Sequence, residues 1–304
     1  MLADVLTGLH ATPRRIPSKY LYDAEGSRLF ERITQLDAYY PTRTERRILA
    51  THLSTIAARI GPDAVLIEYG SGSSAKTRLL LDALGSSLAA YVPIDIAEDI
   101  LLHSADTLRQ AYPGLRIRPV AADYTQPHVV PDDPDHRRKR VVFFPGSTIG
   151  NFEPHEAQRF LAHIAELVGP GGGLLLGADL KKDPDLLQRA YADDLGVTAA
   201  FNRNLLVRLN RELDADFDLD RWAHRAVYDA DHGRVEMHLV STTRQTVHIA
   251  GRAITFDQGE TILTENSYKY DVEDLINLAA LAGMTHVQTW TDARGWFAVL
   301  YLEA

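Results

Sequence analysis

The chain has 304 residues, a length that fits two domains or one large α/β domain with an insertion. Hydrophobic residues make up 45% and charged residues 24%, which is typical of globular proteins and excludes collagen-like, coiled-coil and disordered chains. The net charge of −9 disfavours nucleic-acid binding, and the absence of cysteine excludes disulfides, zinc–thiolate sites and thiol nucleophiles. Because there is no signal-peptide core and no apolar run of about 18 residues, we expect a cytoplasmic monomer that binds neither nucleic acid nor membranes.

Short apolar runs alternate with helical periodicity along the first part of the chain, at 64–69, 89–96, 117–122, 141–145 and 174–178. The clearest helix is 153–168, where Pro154 stands in the first turn and Gly169-Pro170 stops the helix. Strands that alternate with helices predict a parallel sheet with helices on both faces. The charged residues 127–140 are predicted to form a solvated surface connection.

The pattern changes after residue 180. Residues 183–213 are predicted to be helical and 225–265 to form antiparallel strands, and a helix at 271–282 precedes two final strands joined at Arg294-Gly295. The simplest architecture is a parallel α/β domain made of 45–180 and 269–304, with a discontinuous α+β domain made of 12–44 and 181–268. Domains of this kind tend to hold a ligand in the cleft between them.

Acidic and glycine residues follow successive predicted strands. The first strand runs into the turn EYGSGS at 68–73, and Asp95 and Asp123 end the next two strands. The carboxyl ends of parallel strands meet at one edge of a sheet, so these carboxylates are predicted to lie near one ligand. One can accept hydrogen bonds from ribose hydroxyls and the other from an adenine amino group, with Tyr124 stacking nearby, while Glu68 suits a cationic cofactor.

This set favours S-adenosylmethionine as the cofactor, without a metal, because no phosphate-binding Lys/Ser pair follows the turn. A nicotinamide dinucleotide remains an alternative, since the third glycine of a GxGxxG pattern is replaced here by Ala75, which some variants allow. Helix capping is the alternative role for Asp95 and Asp123.

Three longer motifs are more specific than the glycine turn: YYPTRTE at 39–45, FFPGSTIGNF at 143–152 and TENSYKY at 264–270. Together they resemble the histidine-specific Nα-methyltransferase family, whose enzyme opens ergothioneine biosynthesis, and the resemblance runs from Tyr20 to the C-terminus. It implies a Rossmann-like class I methyltransferase sheet with an antiparallel C-terminal hairpin, plus a discontinuous α+β substrate-binding domain. It also implies that S-adenosylmethionine methylates the α-amine of L-histidine three times to give hercynine.

The resemblance assigns site residues one by one. Asn151, with Gly146 beside it, and Tyr191 match positions that bind the amino acid's carboxylate and amine, and Glu265 and Ser267 match the pair that binds the imidazole. The full implied substrate set is Tyr39 (with Tyr40 as its alternative), Gly146, Asn151, Tyr191, Met237, Glu265, Asn266 and Ser267. The implied cofactor set is Gly70, Lys76, Asp95, Asp123 and Tyr124.

Other interpretations stay open at this point. Asn151 could cap the helix that follows it, Met237 could be core filling, and Lys76 could be a solvated helix residue. An N-methyltransferase acting on another amino acid or on a tryptophan derivative is the main alternative function, ahead of a histidine sensor or a nicotinamide dehydrogenase. Glu265 and Ser267 favour histidine, because a neutral imidazole presents one N–H donor and one acceptor.

Overall fold

The computed structural model describes residues 1–72, 75–126, 128–131 and 138–304. Half of the predicted surface connection at 127–140, namely residues 127 and 132–137, lies outside the described residues. The chain divides into two compact units, one made of Met1–Tyr40 and Lys182–Tyr268 and the other of Pro41–Lys181 and Lys269–Ala304. The predicted domains share this discontinuous arrangement, although they leave out residues 1–11. In the described ranges, no helix is both long and apolar enough to cross a membrane.

The elements of regular structure follow one another along both units. The α-helices are α1 (Leu2–His10), α2 (Ala24–Thr34), α3 (Tyr40–Thr51), α4 (Leu53–Ile60), α5 (Ala75–Leu84), α6 (Glu98–Ala111), α7 (Pro154–Val168), α8 (Pro184–Tyr191), α9 (Val197–Leu213) and α10 (Val272–Leu281). The strands are β1 (Val65–Tyr69), β2 (Ala90–Asp95), β3 (Val120–Ala121), β4 (Arg140–Phe144), β5 (Gly173–Asp179), β6 (Trp222–Asp229), β7 (Arg234–Ser241), β8 (Gln245–Ile249), β9 (Arg252–Phe256), β10 (Thr261–Tyr268), β11 (Thr285–Thr291) and β12 (Phe297–Glu303).

The second unit, here the α/β unit, contains a seven-stranded sheet in the order β11-β12-β5-β4-β1-β2-β3. Strands β1 to β5 pair in parallel, and β12 runs antiparallel to both β5 and β11. This confirms the predicted parallel sheet and its antiparallel C-terminal hairpin. The strand order reverses between β1 and β4, and crevices at such points, beyond the carboxyl ends of the strands, are where open α/β sheets bind ligands.

The composition of the central strands explains why they lie inside the sheet. Every residue of β1 and of β5 is buried, as expected for parallel strands covered by helices on both faces. Leu66, Phe143 and Leu175 from neighbouring strands join one hydrophobic core with Leu80 of α5 and Ile56 of α4. The rigid sheet therefore fixes the turns that follow β1, β2 and β4.

The first unit, here the α+β unit, is built on a three-stranded antiparallel sheet in the order β10-β7-β6. Residues of β7 alternate between buried and half-buried positions, which gives the sheet one core face. Helices α8 and α9 pack on β6 and β7, and α2 packs on α9. The predicted antiparallel strands are confirmed, and the predicted helical segment 183–213 is two helices separated at 192–196. Helix α1 was not predicted.

The close packing of the α/β unit gives a first stability prediction, at Gly177 of β5. A Cβ at this position would lie 1.9 Å from Oε1 of Glu45, a side chain with no solvent exposure. We expect Gly177→Ala to lower the free energy of unfolding by about 2 kcal/mol or more, because a buried carboxylate must move. Urea denaturation measures this loss. Gly114→Ala is the control, since its Cβ would meet open space, and an equal loss in both variants would contradict the prediction.

Candidate active site

A pocket in the α+β unit brings together four of the residues assigned to substrate. It is lined by Phe30, Ile33, Tyr39, Ala190, Tyr191, Thr198, Phe201, Met237 and Glu265. The rings of Tyr39 and Tyr191 meet edge to face with centroids 6.0 Å apart, and Phe30 contacts Tyr39 in the same manner at 6.1 Å. Met237 is 2% exposed, so it fills the core and forms a wall of the pocket at once.

An irregularity in β10 decides which side chains face this pocket. The pairing of β10 with β7 shifts register between Leu263 and Glu265, and beyond the shift Glu265 lies opposite Met237 and Ser267 opposite Val235. Bulges of this kind re-aim side chains and are common next to active sites. Because side chains alternate along a strand, Asn266 projects from the opposite face. The structure therefore groups Glu265 with Ser267 and leaves the side chain of Asn266 apart from them.

The two adjacent tyrosines of the first motif have different surroundings. Tyr39 lines the pocket, whereas the hydroxyl of Tyr40 accepts a hydrogen bond from Nζ of Lys182 at 2.8 Å. The hydroxyls of Tyr191 and Ser267 lie 2.8 Å apart, and both are buried. Of the two tyrosines, Tyr39 is the one that lines the pocket with Tyr191.

In the α/β unit, the turn after β4 carries Gly146 and is held by a buried carboxylate. Gly146 has a φ of +81°, a left-handed conformation that favours glycine, and Ser147 follows with a φ of +60°. The amide of Gly146 donates to both carboxylate oxygens of Glu45 at 3.0 Å. Nζ of Lys76 lies 2.7 Å from Oε2 of Glu45. Lys76 is thus paired with a buried acid and is not a solvated helix residue.

Asn151 ends a short 3-10 helix, Thr148–Asn151, after the same turn. It does not cap α7, because Glu153 is the N-cap and forms a capping box with Glu156. Asn151 is half-buried. An amide offers two N–H donors and a carbonyl acceptor, so it can bind an amino acid's carboxylate and amine.

The glycine turn after β1 leaves room beside it. Gly70 and Gly72 have φ values of +72° and +45°, and, chain neighbours aside, no atom of the described residues lies within 4 Å of the position that a Cβ would take at either glycine. The carboxylate of Asp95 accepts hydrogen bonds from the amides of Gly72 and Ala97, at 3.2 and 2.9 Å, and burial raises its pKa. The backbone amide of Ile96 is a third donor, so the carboxylate retains one further acceptor position, which suits a ribose hydroxyl.

Asp123 and Tyr124 follow β3. Oδ1 of Asp123 accepts hydrogen bonds from the amide and the hydroxyl of Thr125, so this carboxylate closes a turn and caps no helix. The ring of Tyr124 stacks on Tyr69, with centroids 5.2 Å apart and planes 29° from parallel, and its edge meets Phe144. The glycine turn, Asp95 and this aromatic platform fit an adenosine-bearing cofactor.

One expectation about the cofactor was wrong. Glu68 does not present its carboxylate to the glycine turn, because it is 2% exposed and accepts hydrogen bonds from the hydroxyls of Thr77 and Tyr91. It lies on the same face of β1 as Leu66, a member of the hydrophobic core. Burial raises the pKa of Glu68 to about 7. Within the described residues, no group of three His, Asp or Glu side chains could hold a metal ion.

Comparisons with known proteins agree with this geometry. A family model for histidine-specific, S-adenosylmethionine-dependent methyltransferases matches residues 1–304. The histidine N-alpha-methyltransferase of Mycolicibacterium smegmatis is 44% identical over 97% of this chain and 92% of its own length. Ergothioneine biosynthesis protein 1 of Neurospora crassa is 32% identical over 92% of this chain, which is 32% of that longer protein.

Among solved structures, an S-adenosylmethionine-dependent methyltransferase from Clostridium acetobutylicum matches with a TM-score of 0.51 and 9% identity, covering 90% of this chain and 97% of that chain. This likeness bears on the fold alone, and it confirms the predicted Rossmann-like methyltransferase sheet. The family model covers the whole chain, including the three motifs that carried the resemblance. The chain belongs to the family of histidine-specific, S-adenosylmethionine-dependent methyltransferases.

Proposed function

We propose that this protein methylates the α-amine of L-histidine three times with S-adenosylmethionine, giving Nα,Nα,Nα-trimethylhistidine (hercynine), the first step of ergothioneine biosynthesis. The observation that carries this proposal is the pocket in which Glu265 and Tyr191 supply polar atoms between aromatic and apolar walls, with Ser267 in hydrogen-bond contact with Tyr191. The names of the bacterial and fungal relatives, a histidine N-alpha-methyltransferase and an ergothioneine biosynthesis protein, support the substrate and the pathway.

Glu265 and Ser267 are the residues we assign to the imidazole. A carboxylate can accept the ring N–H, and a hydroxyl can donate to the other ring nitrogen. The hydroxyls of Tyr191 and Ser267 lie 2.8 Å apart. If Tyr191 donates its hydrogen to the oxygen of Ser267, the hydroxyl of Ser267 is directed to donate its own hydrogen to the imidazole. Amino acids without the ring could not form these two hydrogen bonds, and a site built to hydrogen-bond its substrate discriminates strongly against analogues that lack the bonding group.

The remaining residues are assigned either to the amino-acid substrate or to the cofactor. The resemblance assigns Asn151 and Gly146 of the α/β unit, and Tyr191 and Tyr39 of the α+β unit, to the amino acid's α-carboxylate and amine. Met237 packs on the ring. On the cofactor side the assignment comprises Gly70, Lys76, Asp95, Asp123 and Tyr124. Asn266 belongs to the assigned substrate set through its position between Glu265 and Ser267 on β10.

S-adenosylmethionine, held by the residues of the cofactor set, would supply an electrophilic sulfonium methyl group to the neutral amine of histidine, with breakage of the S–CH3 bond and release of the neutral thioether S-adenosylhomocysteine. The contribution of the chain is to hold the amine in attack geometry, which is worth roughly 7–11 kcal/mol of a barrier in well-oriented reactions. The amine must lose a proton before it can be methylated again. The pocket offers tyrosine hydroxyls and no histidine base, so we assign the proton's departure to water or to a tyrosine hydroxyl.

Mass spectrometry of the purified protein with S-adenosylmethionine and an equimolar mixture of the twenty amino acids tests the function. The expected result is a gain of three methyl groups on histidine alone. Methylation of another amino acid, or of an added tryptophan derivative, would overturn the assignment of Glu265 and Ser267. Histidine binding without methylation would point to a sensor, and binding of a nicotinamide dinucleotide in place of S-adenosylmethionine to a dehydrogenase.

Glu265→Gln tests the imidazole assignment directly. We expect the KM for histidine to rise about 10- to 100-fold, because a hydrogen bond to a charged group contributes roughly 1.5–3 kcal/mol. Cofactor affinity, measured by calorimetry with S-adenosylhomocysteine, should stay unchanged. Glu31→Gln, at an exposed carboxylate of α2, is the matched control. An equal loss of affinity for substrate and cofactor would contradict the assigned role.

A further inference from the structure

A chain of hydrogen bonds lies behind the pocket of the α+β unit. Nε2 of His224, on β6, is 2.9 Å from the carbonyl oxygen of Tyr191. Nδ2 of Asn202, on α9, is 3.0 Å from Nδ1 of the same ring and 3.1 Å from the carbonyl oxygen of His238. Oδ1 of Asn202 accepts from the hydroxyl of Thr264 at 2.7 Å. Asn202 has no solvent exposure.

The partners at the ends of this chain fix where its protons lie. A carbonyl oxygen only accepts, so Nε2 of His224 must carry a hydrogen. One N–H of Asn202 goes to the carbonyl of His238, and the other needs an acceptor at Nδ1 of His224. The ring is therefore neutral and protonated at Nε2 alone. Burial lowers the pKa of His224, and His238 on the adjacent strand lowers it further. The negative charge of Asp193 raises the pKa but does not outweigh the burial.

The same bonds reach the backbone of the predicted substrate residues. Tyr191 is the last residue of α8, and its carbonyl is among the four at a helix end that have no partner within the helix. His224 supplies that partner. Thr264 stands at the register shift of β10, directly before Glu265, and its hydroxyl also lies 3.0 Å from the carbonyl oxygen of Met237.

We propose that Asn202 and His224 are positioning residues for the histidine site. The neutral Nε2–H form of His224 holds the carbonyl of Tyr191, and Asn202 holds His224 and, through Thr264, the bulge that presents Glu265. This inference rests on the proposed function. The two residues act through other groups and touch no substrate themselves. They govern the affinity for histidine and leave the affinity for the cofactor unchanged, because every bond of the chain ends within the α+β unit.

Steady-state kinetics of three variants test the proposal. His224→Phe and Asn202→Leu remove the chain, and each should raise the KM for histidine about tenfold, the effect of losing one net hydrogen bond. The KM for S-adenosylmethionine should change less than about twofold. His224→Gln keeps an N–H donor for the carbonyl of Tyr191 and should recover most of the affinity. His248→Phe, at an exposed ring of β8, is the control.

Nitrogen-15 NMR of the unmodified protein is a second test that needs no variant to fold. His224 should show a protonated Nε2 and an unprotonated Nδ1 at neutral pH. The opposite tautomer or a charged ring would overturn the proposal, as would variants that change both KM values equally or change neither. Absence of any histidine methylation by the unmodified protein would instead overturn the proposed function, while the NMR result would still report on the hydrogen-bond chain.

Discussion

Replacing Lys269 with methionine is expected to lower the free energy of unfolding by about 3–5 kcal/mol. Lys269 follows β10 and Asp179 ends β5; both side chains are fully buried, with Nζ 3.0 Å from Oδ2. The substitution removes the ammonium group and leaves the carboxyl group of Asp179 fully buried without that ion-pair partner. The amide of Asp179 donates to Oγ of Ser147 at 2.9 Å, so the disturbance lies next to the turn that carries Gly146.

Two further variants make this prediction specific. Lys181 pairs with Asp271 at 2.7 Å, but its side chain is 40% exposed, so Lys181→Met should cost less than about 1 kcal/mol. The double variant Asp179→Leu/Lys269→Met removes both charges and should recover most of the loss, since apolar replacements of buried pairs are often neutral. Urea denaturation at neutral pH measures all three. A loss in Lys269→Met no larger than in Lys181→Met would show that burial adds nothing to this pair.

The sheet and its order of elements could be predicted because they depend on patterns that the sequence displays directly. The apolar runs at 64–69 and 174–178 are buried on both faces, and a run of that kind indicates a central parallel strand. The break in pattern after residue 180 marked the α+β unit for the same reason: alternation replaced continuous apolar runs. Helix α1 escaped prediction, although its buried residues Val5, Leu6 and Leu9 recur at helical spacing.

The orientation of individual polar side chains could not be predicted in the same way. The side chain of Glu68 lies on the core face of β1, and no local pattern says which face of a doubly covered strand carries the core. The bulge at Glu265 depends on pairing with β7, a contact distant in sequence. Asn202 and His224 are separated by 22 residues, and neither belongs to a motif. Glu45, whose carboxylate holds the turn at Gly146, does lie in the first motif, and that membership was the sequence signal for it.

Glu68 should make the protein less stable as the pH rises between about 5 and 8. Burial raises the pKa of its carboxyl from 4.5 to about 7, in spite of the hydrogen bonds from Thr77 and Tyr91. In this pH range the folded state therefore holds a proton that the unfolded state has released. Raising the pH favours the state with fewer bound protons, so the contribution of Glu68 to stability falls by roughly 2–3 kcal/mol across the range.

The difference between the protein and its Glu68→Gln variant isolates this effect, because every other titrating group is common to both. The free energy of unfolding of the variant, relative to the unmodified protein, should rise steadily from pH 5 to pH 8 in urea denaturation. Tyr91→Phe removes a hydrogen bond that favours the ionised carboxylate, so it should raise the pKa of Glu68 further and extend the fall to higher pH. Parallel curves for all three proteins would mean that Glu68 ionises alike in the folded and unfolded states. The carboxylate would then be solvated in the folded protein, which would contradict its burial between β1, β2 and α5.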